Sequence, residues 1–416
     1  MMTSQLSKNN DDCYVIDIKN YNAQEIIDSI KSNILLEIAF SYKTENAFFN
    51  KIIEILTIGK EIKSSLIDYT NNKEIIYTQL AAKNIQFYIY FYIENNMLIW
   101  KLYSVFDKKF IKGKSYRYQE DSIALLRTIV IDIWQELFGD LITPYHSFLA
   151  YLDTSFNHHE QESCIKFCHP LLPGLEKTIF KINQNILDLA SIDSKPLQSL
   201  LFSTQNNHGT AIMKLNSYGN IIPIINNHQM LISPSVNQDG LFYINSGLLY
   251  RYYYNKTKKD FCSQLLDKNA DFASVYAIIN NHEILVSKNK QIYKITYQIN
   301  QNTNELILIN AQKITENKLN SVNMTYDYID NNIIVSQRIN GYYQLVAYEN
   351  TQKKILTHSH YHKQDPSISP CGNYIAYIAQ TNDGERYLEV INKHTGHTIR
   401  ITQTPGEYRF PVWLVR

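Results

Sequence analysis

His158, His159, Glu160, Cys164, Cys168 and His169 fall in one short stretch, HHEQESCIKFCHP, and each of these residue types can hold zinc. Their spacing matches no standard structural zinc site, and no second ligand pair follows elsewhere. A blade loop with incidental thiols accounts for the stretch equally well. The two cysteines are four apart, beyond disulfide reach in an extended segment unless a tight turn joins them. His358, His360 and His362 alternate in HSHYHK. On a strand they share one face, an arrangement that binds metal or responds to pH, but a polar link between two repeats needs neither property. Asp239, Asp271, Asp365 and Asp383 are acids that a hydrolase could recruit, yet Asp and Asn beside Gly also serve simply as turn formers. No GxSxG elbow, HExxH pair or Walker-type loop is present. These residues therefore predict no catalytic centre, no metal and no cofactor.

The elements that carry these residues follow from the bulk numbers and the periodicity. A chain of 416 residues usually makes more than one domain. With 40 basic and 39 acidic residues its formal net charge is +1, which gives no general attraction to nucleic acid or to an anionic membrane surface. Five cysteines in a chain of this length do not form a disulfide framework. No apolar run approaches the roughly 20 residues that a membrane-spanning helix needs, and the start, MMTSQLSKNNDDCYV, lacks a signal-peptide pattern.

Two periods divide the chain. DSIALLRTIVIDIWQELFGD places Ile123, Leu126, Ile129, Val130, Ile133, Trp134 and Leu137 on one helical stripe, with Asp121 or Ser122 as the cap and Gly139 as the stop. NAFFNKIIEILTIGKEIK predicts a second amphipathic helix, and IQFYIYFYIENNMLIWKLYSVF two strands about Glu94-Asn95-Asn96. This part reads as a small α/β domain, a helix pair on a short sheet. After Pro144 the helical period ends, and short apolar strands alternate with Asn, Asp and Gly turns. SISPCGNYIAYIAQTNDGERYLEVINKHTGHTIRIT is strand, turn, strand, turn, strand, and similar units begin near Leu197, Pro234, Ala273, Val322, Pro366 and Pro411. That interval is the length of a propeller blade. With one unit from about His146, the count is six, and RFPVWLVR supplies a lone strand able to clasp the first blade. The predicted organisation is an extended segment over 1–20, an α/β domain over 21–143 and a six-bladed β-propeller over 144–416 closed by strand 410–415.

Specific residues then resemble a known family. Ser369-Pro370-Cys371-Gly372, Ile375-Ala376-Tyr377, Thr395-Gly396 and Phe410-Pro411-Val412-Trp413 follow the order of the last blade and closing strand of the TolB family, the periplasmic propellers of the Tol–Pal system. WKLYSVFDKKFIKGKSYRY, the helix ending LFGD, and SFLAYLD follow the order of that family's amino-terminal domain. The resemblance spans about residues 85–416, and more loosely 12–84. The chain departs from the family pattern too: Ile123-Ala124 stand near the family's paired arginines, blades four and five have lost the SPDG turn (IINNHE, YDYIDNN), and QINQNTNEL is an insertion in blade four.

What the resemblance implies is a non-enzymatic periplasmic adaptor, a monomer, supporting outer-membrane integrity and constriction at division. The lipoprotein Pal would dock on loops gathered at one mouth of the propeller. There His228, Gln229, Asn269, Asp271, Asn320, Asp365 and Arg409 are the candidates. TolA would take the amino-terminal segment, where Val15, Ile16, Asp17 and Ile18 resemble the family's recognition run, by strand addition. Other outer-membrane or periplasmic proteins are further possible partners. A periplasmic site calls for an export leader upstream of Met1. Two other functions stay open: a hydrolase or lyase working in the channel, favoured by carboxylates or histidines converging there, and a general interaction scaffold.

Overall fold

The computed structural model describes residues 36–44, 46–58, 61–67, 73–119, 122–138, 147–157, 160–170, 172–192, 199–206, 209–216, 219–268, 271–278, 282–315, 323–349 and 352–415. The chain falls into two compact units, Met1–Thr143 and Pro144–Arg416.

The first unit is richer than a helix pair on a short sheet. Its strands β1 (Leu36–Tyr42), β2 (Ile62–Leu66), β3 (Phe87–Glu94), β4 (Met97–Ser104) and β5 (Lys109–Arg117) form one sheet in the order β2-β1-β3-β4-β5. The pairs of β1 with β2 and β3 are parallel, so the links between them are helical crossovers. These are α1 (Ala47–Thr57) and α2 (Lys73–Ala81), and α3 (Ile123–Phe138) follows β5. Asn46 caps α1 by accepting from the Phe48 amide at 2.8 Å, and the Ser122 hydroxyl oxygen accepts from the Leu125 amide at 3.3 Å. Asp121 and Gly139 lie outside the described residues. The β3–β4 hairpin turns through Asn95 and Asn96 at φ 49° and 61°, the positive pair of a type I′ turn. Helix α2 escapes the periodicity because Ile76, Tyr77 and Leu80 reach their core partners Tyr88 and Tyr103 from a short, weakly amphipathic element.

The second unit is a six-bladed propeller. Blade I is Ser147–Ile182 joined by Glu407–Val415; blades II to VI are Asn185–Asn227, Leu231–Asp267, Phe272–Lys313, Met324–Ile355 and His362–Arg400. Each is a four-stranded antiparallel sheet. Innermost lie Glu407–Val415, Asn185–Ile192, Leu231–Asn237, Phe272–Ile278, Met324–Asp327 and His362–Ile368, each touching the innermost strand of the next blade, so the ring is closed. The clasp runs antiparallel to Ser147–Asn157. It begins at Glu407, three residues before the expected start: Glu407, Tyr408 and Arg409 already pair with Thr154, Asp153 and Leu152 ahead of the irregularity at Phe410-Pro411.

The cores lie between blades. Phe242, Ile244 and Leu249 of blade III pack on Phe272, Val275, Ile284 and Tyr297 of blade IV, and Val412 and Leu414 of the clasp join Leu200 and Phe202 of blade II. On Leu248–Asn255 the alternate residues Leu249, Arg251, Tyr253 and Asn255 are buried. The buried Arg251 guanidinium is satisfied by the carbonyl oxygens of Asp239 (2.6 and 3.0 Å) and Asn304 (2.8 Å). No blade could bury both of its faces alone, and the ring does so for all six.

Candidate functional site

The innermost strands are irregular at matching places. In blades I, II, III, IV and VI the register shifts by a residue, at Phe410-Pro411, Leu187, Ser233-Pro234, Ala273 and Asp365-Pro366. Ser233, Asp365 and Phe410 have φ of 54°, 51° and 48°, and each precedes a proline. Non-glycine residues held at such angles cost on the order of 1–3 kcal/mol and persist only where the surroundings enforce them. A bulge also bends its strand and re-aims side chains and backbone groups. Here the freed groups stitch blade to blade. The Ser233 amide donates to the Asp188 carboxylate (2.7 Å), and the Val275 amide to the Ser233 hydroxyl (3.0 Å). The Asn323 amide group and the Phe410 backbone N–H (3.4 Å) both donate to Asp365, and the Trp413 indole N–H donates to the Ser367 carbonyl (2.9 Å).

These stitches surround a channel cavity of about 570 Å³ that all six blades line. Ser191, Ser233, Ser235, Ser274, Thr325 and Ser367 give it hydroxyls, while Pro234, Pro366, Pro411 and Trp413 give it apolar walls. A second cavity of about 360 Å³ opens beside it at the end where the innermost strands begin, and Asp188 and Asp365 line both. Among the described residues no histidine lines either cavity, and no cluster of three or more His, Cys, Asp or Glu has metal-holding geometry.

Asp188 is the residue that sequence analysis missed. In NILDLASI it looks like a solvent-facing acid on an alternating strand; the bulge at Leu187 turns it into the channel. Burial pushes its carboxyl up to about 7 against the Ser233 hydrogen bond, and the Asp365 charge adds to the rise. Burial also raises Asp365, opposed by its bonds from Asn323 and Phe410 and by the charges of Arg409 and Arg386.

A pH dependence follows. Below about pH 4 Asp188 is protonated both folded and unfolded and contributes nothing. As the pH rises towards 7 only the unfolded chain ionises, so this group's contribution to stability falls across that window and stays lost above it. Protein encloses the carboxyl, yet the cavity admits water to it, so the roughly 4 kcal/mol implied at about 1.4 kcal/mol per pH unit is an upper bound. Asp188→Asn keeps an acceptor for Ser233. Its melting temperature relative to the parent protein is expected to rise between pH 5 and pH 8. A difference constant across that range would show that Asp188 ionises freely in the folded state.

The structure places the predicted mouth residues in two sets. Asp365 and Arg409 line the mouth cavity together with Gln364, Arg386, Tyr408 and Met230. His228 and Gln229 are exposed just before the innermost strand of blade III, and Asp271 just before that of blade IV; none of the three lines the cavity. The loop at 228–229 is held from below, since Thr210 bonds to the Gln229 carbonyl and accepts from the Leu231 amide (2.7 Å). Asp271 has φ 105°, a conformation that L side chains rarely adopt. Asn269 and Asn320 lie outside the described residues, as do Val15, Ile16, Asp17 and Ile18.

The His/Cys stretch is a strand, not a blade loop. Glu160–His169 pairs on both sides within blade I, which keeps Cys164 and Cys168 extended and apart, and both thiols are free. Burial pushes both thiols up, away from reactivity. His158 and His159 lie outside the described residues. His362 opens the innermost strand of blade VI, and its Nδ1 accepts from the Tyr343 amide (3.1 Å). Burial and then Arg338 lower its pKa, and His360 packs edge-on against Tyr342. Both histidines thus have structural partners.

No family model matches the chain, and no curated protein does. Among solved structures, TolB from Acinetobacter baumannii matches with a TM-score of 0.70 at 16% identity, covering 91% of this chain and 96% of that one. The hydrazine synthase of Kuenenia stuttgartiensis matches with 0.47 at 10% identity, over 65% of this chain and 46% of that one. The β-propeller domain of the Trilobed protease from Pyrococcus furiosus matches with 0.42 at 11% identity, over 62% and 92%. The chain is TolB-like in fold, and that likeness reaches beyond the propeller into the first unit.

Proposed function

We propose that this TolB-like chain is a non-enzymatic adaptor of a Tol–Pal system. It works in the periplasm, binding Pal at the propeller mouth and TolA through residues 15–18, in support of outer-membrane integrity and constriction at division. The observation that supports this most is the match to TolB across nearly the whole of both chains. The mouth suits such a role. It offers exposed His228, Gln229, Met230 and Arg409 around a cavity lined by the half-buried Asp188 and Asp365, a mixed polar and apolar rim on a ring stitched blade to blade. Among the described residues no helix is long and apolar enough to cross a membrane.

Calorimetric titration with the periplasmic domain of Pal from the same organism tests the proposal. Binding in the micromolar range or tighter is expected, weakened at least about tenfold by His228→Ala with Arg409→Ala. A folded protein that binds no Pal removes the adaptor function and leaves the fold.

A channel hydrolase is the second reading, and one observation favours it. Asp188 and Asp365 converge on the same cavities, and a carboxyl titrating near 7 suits a general acid. Against it, each carboxylate is already engaged by backbone or Asn323 donors that hold the ring.

A further inference from the structure

The third strand of a blade runs in the direction of its innermost strand, so its turn into the outermost strand lies at the end of the ring away from the mouth. Blades IV and VI make that turn through NQNTNE and NKHTGH, with one lysine between them, and that residue, Lys393, is held by Asp327 and Asp330. Blade III makes it through NKTKKD, and six residues in a row, Lys256 to Phe261, are exposed. Among the described residues Lys258 and Lys259 form no ion pair, and the one acid of the turn, Asp260, accepts from the Phe261 amide (2.7 Å). Three lysines against one acid give this turn a formal charge of +2, where the whole chain carries +1.

Two aromatic side chains stand directly behind these lysines. Tyr254 and Phe261 pair across the hairpin, one step inside its closing pair Asn255 and Asp260, and are 45% and 57% exposed. Their rings meet edge to face with centroids 5.4 Å apart, and Phe261 also stacks on Tyr252 at 5.4 Å. Tyr250 and Tyr252 on the same face pack towards blade II, whose Ile222, 50% exposed, lies near the start of its outermost strand at this same end. The tip is held in shape. The Asn255 side-chain oxygen accepts from the amides of Thr257 (3.0 Å) and Lys258 (2.9 Å). The QINQNTNEL insertion of blade IV braces it: Asn304 donates to the Tyr254 carbonyl (2.9 Å), and Lys256 donates to the Gln301 carbonyl (3.3 Å).

We propose that this tip of blade III docks on an anionic lipid surface, with its lysines among the phosphate headgroups and Phe261 and Tyr254 at the boundary with the acyl chains. Charge complementarity alone would suit any polyanion. The exposed rings beside the lysines decide for a bilayer, because an aromatic side chain with one apolar and one wet side is favoured at headgroup level. A short projecting turn also offers no groove for an extended chain and needs only a surface that yields to it. Each lysine close to such a surface contributes about a fivefold gain in partitioning, and the gain fades beyond a Debye length of about 10 Å at 0.1 M salt. The attraction is therefore local, which a near-neutral chain permits. A single tip gives a weak, reversible attachment that sets the end of the ring away from the mouth towards the membrane. The proposal does not depend on the adaptor function, since a chain that binds no Pal could still bind lipid.

Co-sedimentation of the full chain with vesicles tests this, using mixed phosphatidylglycerol and phosphatidylcholine against phosphatidylcholine alone. Partitioning onto the mixed vesicles at about 0.1 M salt is expected to be at least about tenfold stronger. Lys258→Glu with Lys259→Glu should reduce it about tenfold or more, and Phe261→Ser about threefold or more. Lys268 and Lys313 are exposed at the mouth end of blades III and IV. Lys268→Glu with Lys313→Glu makes the same change in net charge and should leave partitioning as in the parent. Circular dichroism confirms that each variant is folded. Equal partitioning onto both kinds of vesicle, or onto neither, overturns the proposal. So does a tip variant that binds like the parent, an indifferent Phe261→Ser, or a mouth-end variant that loses as much as the tip variant. Binding to soluble heparin through Lys258 and Lys259, with none to the mixed vesicles, would assign the tip to a soluble polyanion instead and overturn the lipid reading.

Discussion

Trp413→Ala is expected to destabilise the propeller by about 3–5 kcal/mol, as burial lost from a large aromatic core residue typically costs. Trp413 is 4% exposed on the clasp and donates its indole N–H to the Ser367 carbonyl of blade VI. Its removal opens a void where blades VI and I meet and leaves that carbonyl without its indole donor. For a unit of this size the thermal midpoint should fall on the order of 10 °C. Trp413→Phe retains most of the volume and loses the hydrogen bond, so about 1 kcal/mol is expected there. Phe106, 59% exposed, serves as the control, and Phe106→Ala should change little. A Trp413→Ala protein melting within a degree or two of the parent would show that the clasp does not hold the ring.

Lys393→Met is the second large effect, again about 3–5 kcal/mol, because it leaves a buried charge without its counter-ion. Lys393 of blade VI bonds to Asp327, whose side chain is wholly buried, and to Asp330 at 2.8 Å, both in blade V. The other Asp327 oxygen accepts from the backbone amides of Ile329 (3.0 Å) and Asp330 (3.3 Å), so one carboxylate shapes the turn and ties it to the next blade. Asp327→Asn can still accept from those amides. Combined with Lys393→Met it should recover at least half of the loss, since the double variant buries no unpaired charge. Chemical denaturation of the parent, the two single variants and the double variant measures the coupling directly. Additive costs would mean that the two groups do not depend on each other. The turn also carries Tyr328 to the channel wall, so the same substitution should loosen one side of the cavity.

The sequence made some of this legible for physical reasons. Proline after a polar or aromatic residue at the start of an apolar strand marked the bulged innermost strands of blades III, VI and I, because proline removes a ladder donor. The helix over Ile123–Phe138 showed through its stripe of seven apolar residues. The parallel strands β1 and β2 did not show: Ile62–Leu66 has one buried residue in five, and its partner is set by a crossover that local pattern cannot encode. Asp188 stayed hidden because a one-residue register shift, invisible in alternation, decides which way it points. The mouth was legible as a set of loops, but Met230 and Arg386 were not, because the cavity draws on residues beside the loop tips and on blade VI's third strand.

The clasp also fixes an order of events. Blade I pairs along its inner edge with Glu407–Val415, Ser147 opposite Val415, so that edge waits unpaired while the chain for blades II to VI is made. On the ribosome that edge is a temporary template for any extended segment nearby, and ring closure depends on a strand made after all the others of the ring. Pairings this distant in sequence form slowly because loop closure precedes their reward. Chains halted before Phe410 should therefore accumulate as open, chaperone-bound species.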